Sequence, residues 1–490
     1  MHHTPTGAVL DAPAERRRAP GRQLLALALL CAAQFVLILG ITVVNVALPS
    51  IQADLGIGLA DLSWVVTAYT LAFGGLILLG GRAGDLVGRR RVFLLGLVVF
   101  TAASLGAALA TSPALLVAAR AAQGVGAALL SPSALALVTT TFAEGPLRTR
   151  ALAVWAAVGA SGGAVGVLLG GLLTELLGWR AVFLVNVPVG LAITVGVLRL
   201  VPAVRPAGRG RLDPLGALLA TASLVALSYG LAGAGEAGWT ATGALVPLGL
   251  AAAGLATFVA VERRVTDPLV PLGVFRRRTT STALVLLVMG MGPVFSGFYL
   301  SSLYLQQVLG HSALRTGVEF LPVAVAIVAA AHVGGGLMSR VGARPVVAAG
   351  LGVAAVGALL LGRVGAEGTY LTDVLPGFLL LGTGGGLAAA GVVITAMSGA
   401  GERDAGLVSG LTSTAHELSI ALILPVLATL AAAGAGAPLL GAAHDAAALA
   451  DGVGTAFTVA AGVALAGSGV ALTLLRRGDA AAGAHGHPVH

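Results

Sequence analysis

Residues 62–110 read LSWVVTAYTLAFGGLILLGGRAGDLVGRRRVFLLGLVVFTAASLGAALA, two apolar runs at 62–80 and 92–110 flanking Gly81-Arg82-Ala83-Gly84-Asp85-Leu86-Val87-Gly88-Arg89-Arg90-Arg91. Each run approaches the roughly 20 residues that a helix needs to cross a hydrocarbon core. The arginine-rich link between them belongs in water. The whole chain follows the same plan: of 490 residues, 57% are hydrophobic, 72 are glycine and 10% are charged. Such a surface cannot be solvated, which excludes a soluble single-core domain, and the hydrophobicity excludes disorder.

Counting apolar runs between polar breaks gives fourteen spans, at 24–48, 62–80, 92–110, 113–141, 151–175, 181–201, 214–234, 243–261, 281–305, 317–338, 345–363, 374–398, 406–434 and 454–475. Arginine placement tests that count, because basic residues collect on the cytoplasmic side of a membrane protein. With fourteen spans and both termini inside, all of the 28 basic residues face the cytoplasm except Arg120, Arg180, Arg315 and Arg363. One span more or fewer would invert every later loop and destroy the asymmetry. The formal net charge of +8 is then an orientation signal, and nucleic acid is not expected as a partner.

Arg16, Arg17, Arg18 and Arg22 before the first apolar run superficially resemble a signal peptide, but the run is too long for an h-region, so it is expected to be a retained span. The lone Cys31 allows no intrachain disulfide and no cysteine-rich metal site, and no metal or cofactor is expected. All 28 basic residues are arginine, so a phosphate-binding loop ending in Lys-Ser/Thr is impossible. No loop is long enough for a catalytic domain; the longest, near 262–280, is a basic connector. A weak repeat relates 81–89 to Gly335-Gly336-Leu337-Met338-Ser339-Arg340-Val341-Gly342-Ala343-Arg344. Both copies follow the second helix of a six-span half if spans seven and eight are an insertion, and such repeats mark secondary transporters with a site between the halves.

Gly81, Asp85, Gly88, Arg89 and Arg90 resemble the cytoplasmic loop motif of the major facilitator superfamily. Leu116, Arg120, Gln123, Gly124, Gly126 and Ala127 resemble the fourth-helix motif of its proton-coupled drug exporters. Thr42-Val43-Val44-Asn45-Val46-Ala47-Leu48-Pro49, the run 179–190 from Trp179 to Gly190, Gln306-Gln307-Val308-Leu309-Gly310-His311-Ser312 and the run 405–411 are similar to the fourteen-span drug:proton antiporter branch. The resemblance implies an all-α integral membrane protein of major facilitator fold with helices arranged 6+2+6. Its expected parts are a cytoplasmic tail 1–23, a six-helix bundle 24–201, two inserted helices with basic connectors 202–280, a six-helix bundle 281–475 and a cytoplasmic tail 476–490. It further implies a monomer in the bacterial cytoplasmic membrane that exports hydrophobic drugs or antibiotics by alternating access, driven by the proton gradient and without a cofactor.

The chain departs from that branch twice. Gly40 in Leu39-Gly40-Ile41-Thr42 stands where the first span often carries an aspartate, and Gly166-Val167-Leu168-Leu169-Gly170-Gly171 lacks the proline of the fifth-helix motif. Both departures weigh against multiply cationic substrates. The missing first-span acid keeps open transport of a specific metabolite or endogenous natural product. A membrane-embedded enzyme or lipid handler is disfavoured, because the outer acids are scattered over many loops.

Several residues carry two readings. The loop motif is either a latch, with Asp85 pairing across to arginines of a neighbouring helix end, or a topological anchor. Arg120 must find polar partners inside the membrane and shares a helix face with Gln123 and Gly124. The resemblance implies a role in proton coupling, and the plain alternative is a structural tie between helices. Glu417 is the one acid placed well inside a span; it is either the proton carrier, beside His416, or a polar helix contact. His416 and Glu417 should point about 100° apart and need not act together. Asn45, Phe295, Phe298, Tyr299 and His332 are candidate cavity residues, with packing, lipid contact or interhelical bonding as their alternatives. Trp64 reads first as an interface anchor.

Overall fold

The structure, a computed structural model, describes residues 20–142, 146–201, 212–398, 405–434 and 446–476. Most of both expected tails lies outside the described residues, as do Arg205, Arg209, Arg211 and Arg403. Among the described residues all regular structure is helical. The long helices are α1 Pro20–Leu55, α2 Trp64–Ala83, α3 Arg89–Ala108, α4 Pro113–Thr141, α5 Pro146–Leu177, α6 Asn186–Leu200 and α7 Pro214–Ala237. They continue as α8 Thr242–Glu262, α9 Arg278–Leu303, α10 Ala313–Val341, α11 Ala343–Leu361, α12 Leu375–Ser398, α13 Ala405–Gly434 and α14 Ala446–Leu474.

Twelve stretches of the described residues are long and apolar enough to cross a membrane, where the sequence leads one to expect fourteen. The difference has two local causes. Trp64–Ala108 counts as one stretch because helical turns run on through the arginine-rich link, and of the 32-residue α5 only the described part Val165–Leu177 enters the count. Within Trp64–Ala108 the chain nevertheless reverses. A π turn at Gly84–Gly88 ends on Gly88 with φ of 111°, a conformation a side chain would strain. Beyond it, α2 runs parallel to α4, with Gly80 on Ala128 and Gly84 on Ser133, while α3 runs antiparallel, with Gly106 on Ala119 and Gly96 on Gly126.

The break at Ser112-Pro113 is a genuine helix start: Ser112 Oγ accepts the Leu115 amide at 3.3 Å, and Pro113 opens α4 where its missing N–H costs nothing. Asp213 caps α7 the same way through the Gly216 amide at 2.8 Å. Lipid supplies no hydrophobic drive between helices, so packing relies on small residues that let backbones touch. A Cβ on Gly126 would stand 2.6 Å from the Phe100 nitrogen.

Helices α1–α6 form one bundle and α9–α14 another, while α7 and α8 pair with each other. Helix α7 also lies along α2 and α13, flanking the seam between the bundles. Glu262 at the end of α8 accepts the Val270 amide at 3.0 Å and so tacks down the connector to α9. Trp64 stacks on Tyr229 of α7, ring centres 6.0 Å apart, so it braces the inserted pair as well as sitting at a helix end.

Candidate functional site

A cavity of about 280 Å³ lies between the two bundles. Thr42 and Asn45 of α1 and Val167 of α5 form one wall. The other comprises Met291, Val294, Phe295 and Phe298 of α9, Ala324, Ile327 and Val328 of α10, Gly385 and Ala389 of α12, and His416 of α13. The surface is apolar with few polar groups, the usual character of a small-molecule site. Thr42 spends its hydroxyl on the Ile38 carbonyl at 3.1 Å, and Asn45 Nδ2 donates to the Ile41 carbonyl at 3.4 Å. Asn45 Oδ1 is buried with no hydrogen-bond partner.

Of the expected cavity residues, Asn45, Phe295 and Phe298 line it. Two do not. Tyr299 follows Phe298 around the helix and is fully buried away from the space. His332 is exposed, its Nδ1 2.9 Å from the Val328 carbonyl of its own helix, one turn beyond the lining residues of α10. Phe298 also joins Phe320 and Phe378 in an edge-to-face cluster with centres 5.1–5.3 Å apart.

Arg120 does not reach the cavity. It is fully buried inside the first bundle, where Nε donates to the Val65 carbonyl at 2.7 Å and Nη1 to Gln123 Oε1 at 3.0 Å. Gln123 passes the chain on to Ser104 Oγ at 2.7 Å, so α2, α3 and α4 are tied through one guanidinium. The Tyr69 ring lies 4.4 Å from the guanidinium carbon, a cation–π contact. Gly124 lets α4 touch the Tyr69 backbone. A Cβ on Gly40 would stand 3.5 Å from the Phe100 ring and 4.0 Å from the Tyr69 hydroxyl, so the position that often holds an acid in the resembling branch lies beside the Tyr69–Arg120 stack.

His416 and Glu417 do meet, despite their angular separation on α13. His416 Nδ1 lies 3.3 Å from Glu417 Oε1, and the His416 ring stands edge-on to Phe295 at 5.1 Å. The carboxylate sits in the seam between bundles: a Cβ on Gly74 of α2 would fall 2.7 Å from Glu417 Cβ. Glu417 Oε2 is buried and without a partner. Glu417, expected as the one acid placed well inside a span, is mid-helix in α13, while Asp213, Glu262 and Glu319, at or near helix ends, are buried to a similar depth. Glu319 is held by His311 Nδ1 at 2.9 Å and Arg315 Nε at 3.0 Å; the i, i+4 spacing of Arg315 and Glu319 was the available signal.

The loop motif is wired differently from the expected latch. Asp85 pairs with Arg89 of its own turn at 3.1 Å, and it is Arg90 that reaches across, donating to the Leu198 carbonyl at the end of α6 at 2.8 Å. Gly81 lies against Pro132 of α4. In α5, Gly166 packs on Thr42 and Gly170 on the Val43 carbonyl, where a Cβ would stand at 2.7 Å. Gly171 faces the other bundle, 2.6 Å from a Cβ position to the Ala313 oxygen.

The two ends of the seam differ. At the far face, where α1 ends, Ser302 Oγ donates to the Asn45 carbonyl at 2.8 Å and Gln306 Nε2 to the Val46 carbonyl at 3.0 Å. Gln307 bonds Gln52 there, and Glu175 accepts the Leu314 amide at 2.8 Å. At the near face, where α1 begins, an exposed ion pair, Arg82–Asp267 at 3.5 Å, joins the end of α2 to the connector after α8.

The sequence profile of the Major Facilitator Superfamily matches residues 30–424. The cephamycin export protein CmcT of Amycolatopsis lactamdurans is 44% identical over 425 residues, covering 86% of this chain and 87% of that one. The puromycin resistance protein pur8 of Streptomyces alboniger is 40% identical over 438 residues, 89% of this chain and 87% of that one. Among solved structures, an inward-facing, unoccupied bacterial homologue of the human lysosomal transporter Spinster superposes with a TM-score of 0.64 at 14% identity, over 93% of this chain and 97% of that one. The profile match over most of the chain and the extended identity agree with two helical bundles around a central cavity: this chain belongs to the Major Facilitator Superfamily and is a multi-pass membrane transporter, not an enzyme.

Proposed function

We propose that the protein exports antibiotics or similar largely apolar molecules across the bacterial cytoplasmic membrane, exchanging them for protons by alternating access. The observation that carries this is the cavity: it is shared by both bundles, apolar, and tied shut by hydrogen bonds at the far face. Two relatives are named for cephamycin export and puromycin resistance, which favours antibiotics as the substrate class. The reading includes fourteen crossings and cytoplasmic termini, supported by the reversal at Gly88, by the 32 residues of α5 and by the arginine asymmetry. The near face is then cytoplasmic, and this conformation is closed to the outside. The protein works as a monomer in the lipid bilayer.

Glu417 is the proton carrier in this account, since its free oxygen lies in the seam and its other oxygen meets the cavity residue His416. Arg120 acts as the frame of the first bundle and holds Tyr69 in place. A second reading, export of one endogenous natural product, is favoured by the missing acid at Gly40 and the absence of a carboxylate among the residues lining the cavity. Expression in an antibiotic-sensitive host tests both: resistance to puromycin together with unrelated compounds supports broad export, resistance to one compound class supports the second, and none refutes export. In inverted vesicles, substrate addition should release protons from the wild type and not from Glu417→Gln.

A further inference from the structure

Pro49 lies inside α1 and has no N–H, so the carbonyl four residues earlier, that of Asn45, loses its helical partner. A buried carbonyl left in that state is costly. Ser302 of α9, in the opposite bundle and fully buried, donates its hydroxyl to that oxygen at 2.8 Å. Gln306 Nε2 bonds both Ser302 Oγ and the Val46 carbonyl, each at 3.0 Å, which leaves the Ser302 proton directed at Asn45. The arrangement recurs elsewhere in the chain. Pro425 in α13 removes the partner of the Ala421 carbonyl, and Ser228 of α7 donates to it at 2.7 Å.

We infer that Pro49, the Asn45 carbonyl, Ser302 and Gln306 form the outer gate, in which a proline-orphaned carbonyl on one bundle is capped by a hydroxyl from the other only when the far face is closed. Pro49, Ser302 and Gln306 are positioning residues. When the gate opens, water takes the carbonyl, so closure exchanges that bond for the one from Ser302 without moving a charge. Asn45 connects gate to cargo, because its carbonyl belongs to the gate and the residue lines the cavity. The inference rests on the orientation given under the proposed function, and the test separates the two.

In a Cys31→Ala background, Ala324→Cys places a reporter thiol in the cavity, and a membrane-impermeant maleimide is applied to right-side-out and to inverted vesicles. Ser302→Ala should raise labelling from outside by about tenfold, the effect of stranding one buried carbonyl in the closed state. Adding Pro49→Ala restores the helical N–H, and in that background Ser302→Ala should change labelling by less than about twofold. Ser301→Ala, whose hydroxyl is buried without a partner, serves as the packing control. Equal effects of Ser302→Ala in both backgrounds, or an effect no larger than that of Ser301→Ala, overturn the gate. A background-dependent rise seen only in inverted vesicles keeps the gate and overturns the orientation.

Discussion

The two ends of the seam between bundles are built from different chemistry. At the far face, serine and glutamine side chains bind backbone carbonyls of α1, and Gly171 and Gly317 let α5 and α10 touch, a Cβ on either falling within 2.6–2.9 Å of a backbone oxygen. At the near face, Arg82 and Asp267 are each roughly two-fifths exposed, and Asp85 and Arg89 are paired within one turn. Bonds from side chains of one bundle to backbone carbonyls of the other fix a geometry, whereas exposed ion pairs contribute little. The far face is therefore held shut by geometry, and the near face is left free to rearrange.

The largest expected effect comes from breaking the far face. Gly171→Leu drives a side chain into the Ala313 carbonyl and should disfavour the closed far face by about 1–3 kcal/mol, the cost of overpacking. Transport should be lost while the protein still inserts, as read by uptake assays beside membrane yield. Next, Asp85→Asn should abolish transport with expression intact, through a pairing made when the near face closes. Its effect on thermal stability in this conformation should stay below about 1 kcal/mol, because the Asp85–Arg89 pair is exposed. Wild-type efflux from that variant would remove the latch. Gly40→Asp should bring a carboxylate to the Tyr69–Arg120 stack and raise efflux of a dicationic dye relative to wild type in whole-cell assays. The smallest effect is expected of Arg82→Ala, about 0–1 kcal/mol on melting temperature analysis with efflux retained.

Much of this was legible beforehand because membrane helices leave strong marks. The Arg120–Gln123 bond follows from their i, i+3 spacing, and Asn45, Phe295, Phe298 and His416 could be named as polar or aromatic groups within apolar runs. What was not legible depended on rotation and distance. His332 lies in a run of alanine, valine and glycine with no polar face to orient it, and Tyr299 is turned one position away from the cavity. The partner that Asp85 takes in this conformation was not legible, because an i, i+4 arginine, Arg89, was closer than any other helix. The meaning of Pro49 required knowing that Ser302, far along the chain, stands opposite Asn45.

Alternating access requires the two ends to open in turn. With Cys31 removed, spin labels at Ala53 and Val318 span the far face, and labels at Arg91 and Arg340 span the near face; all four positions are exposed. Double electron–electron resonance in nanodiscs, with and without puromycin and across a pH range, reports both distances. The far pair should lengthen as the near pair shortens. Distances that stay fixed, or that lengthen together, would contradict alternating access about this cavity.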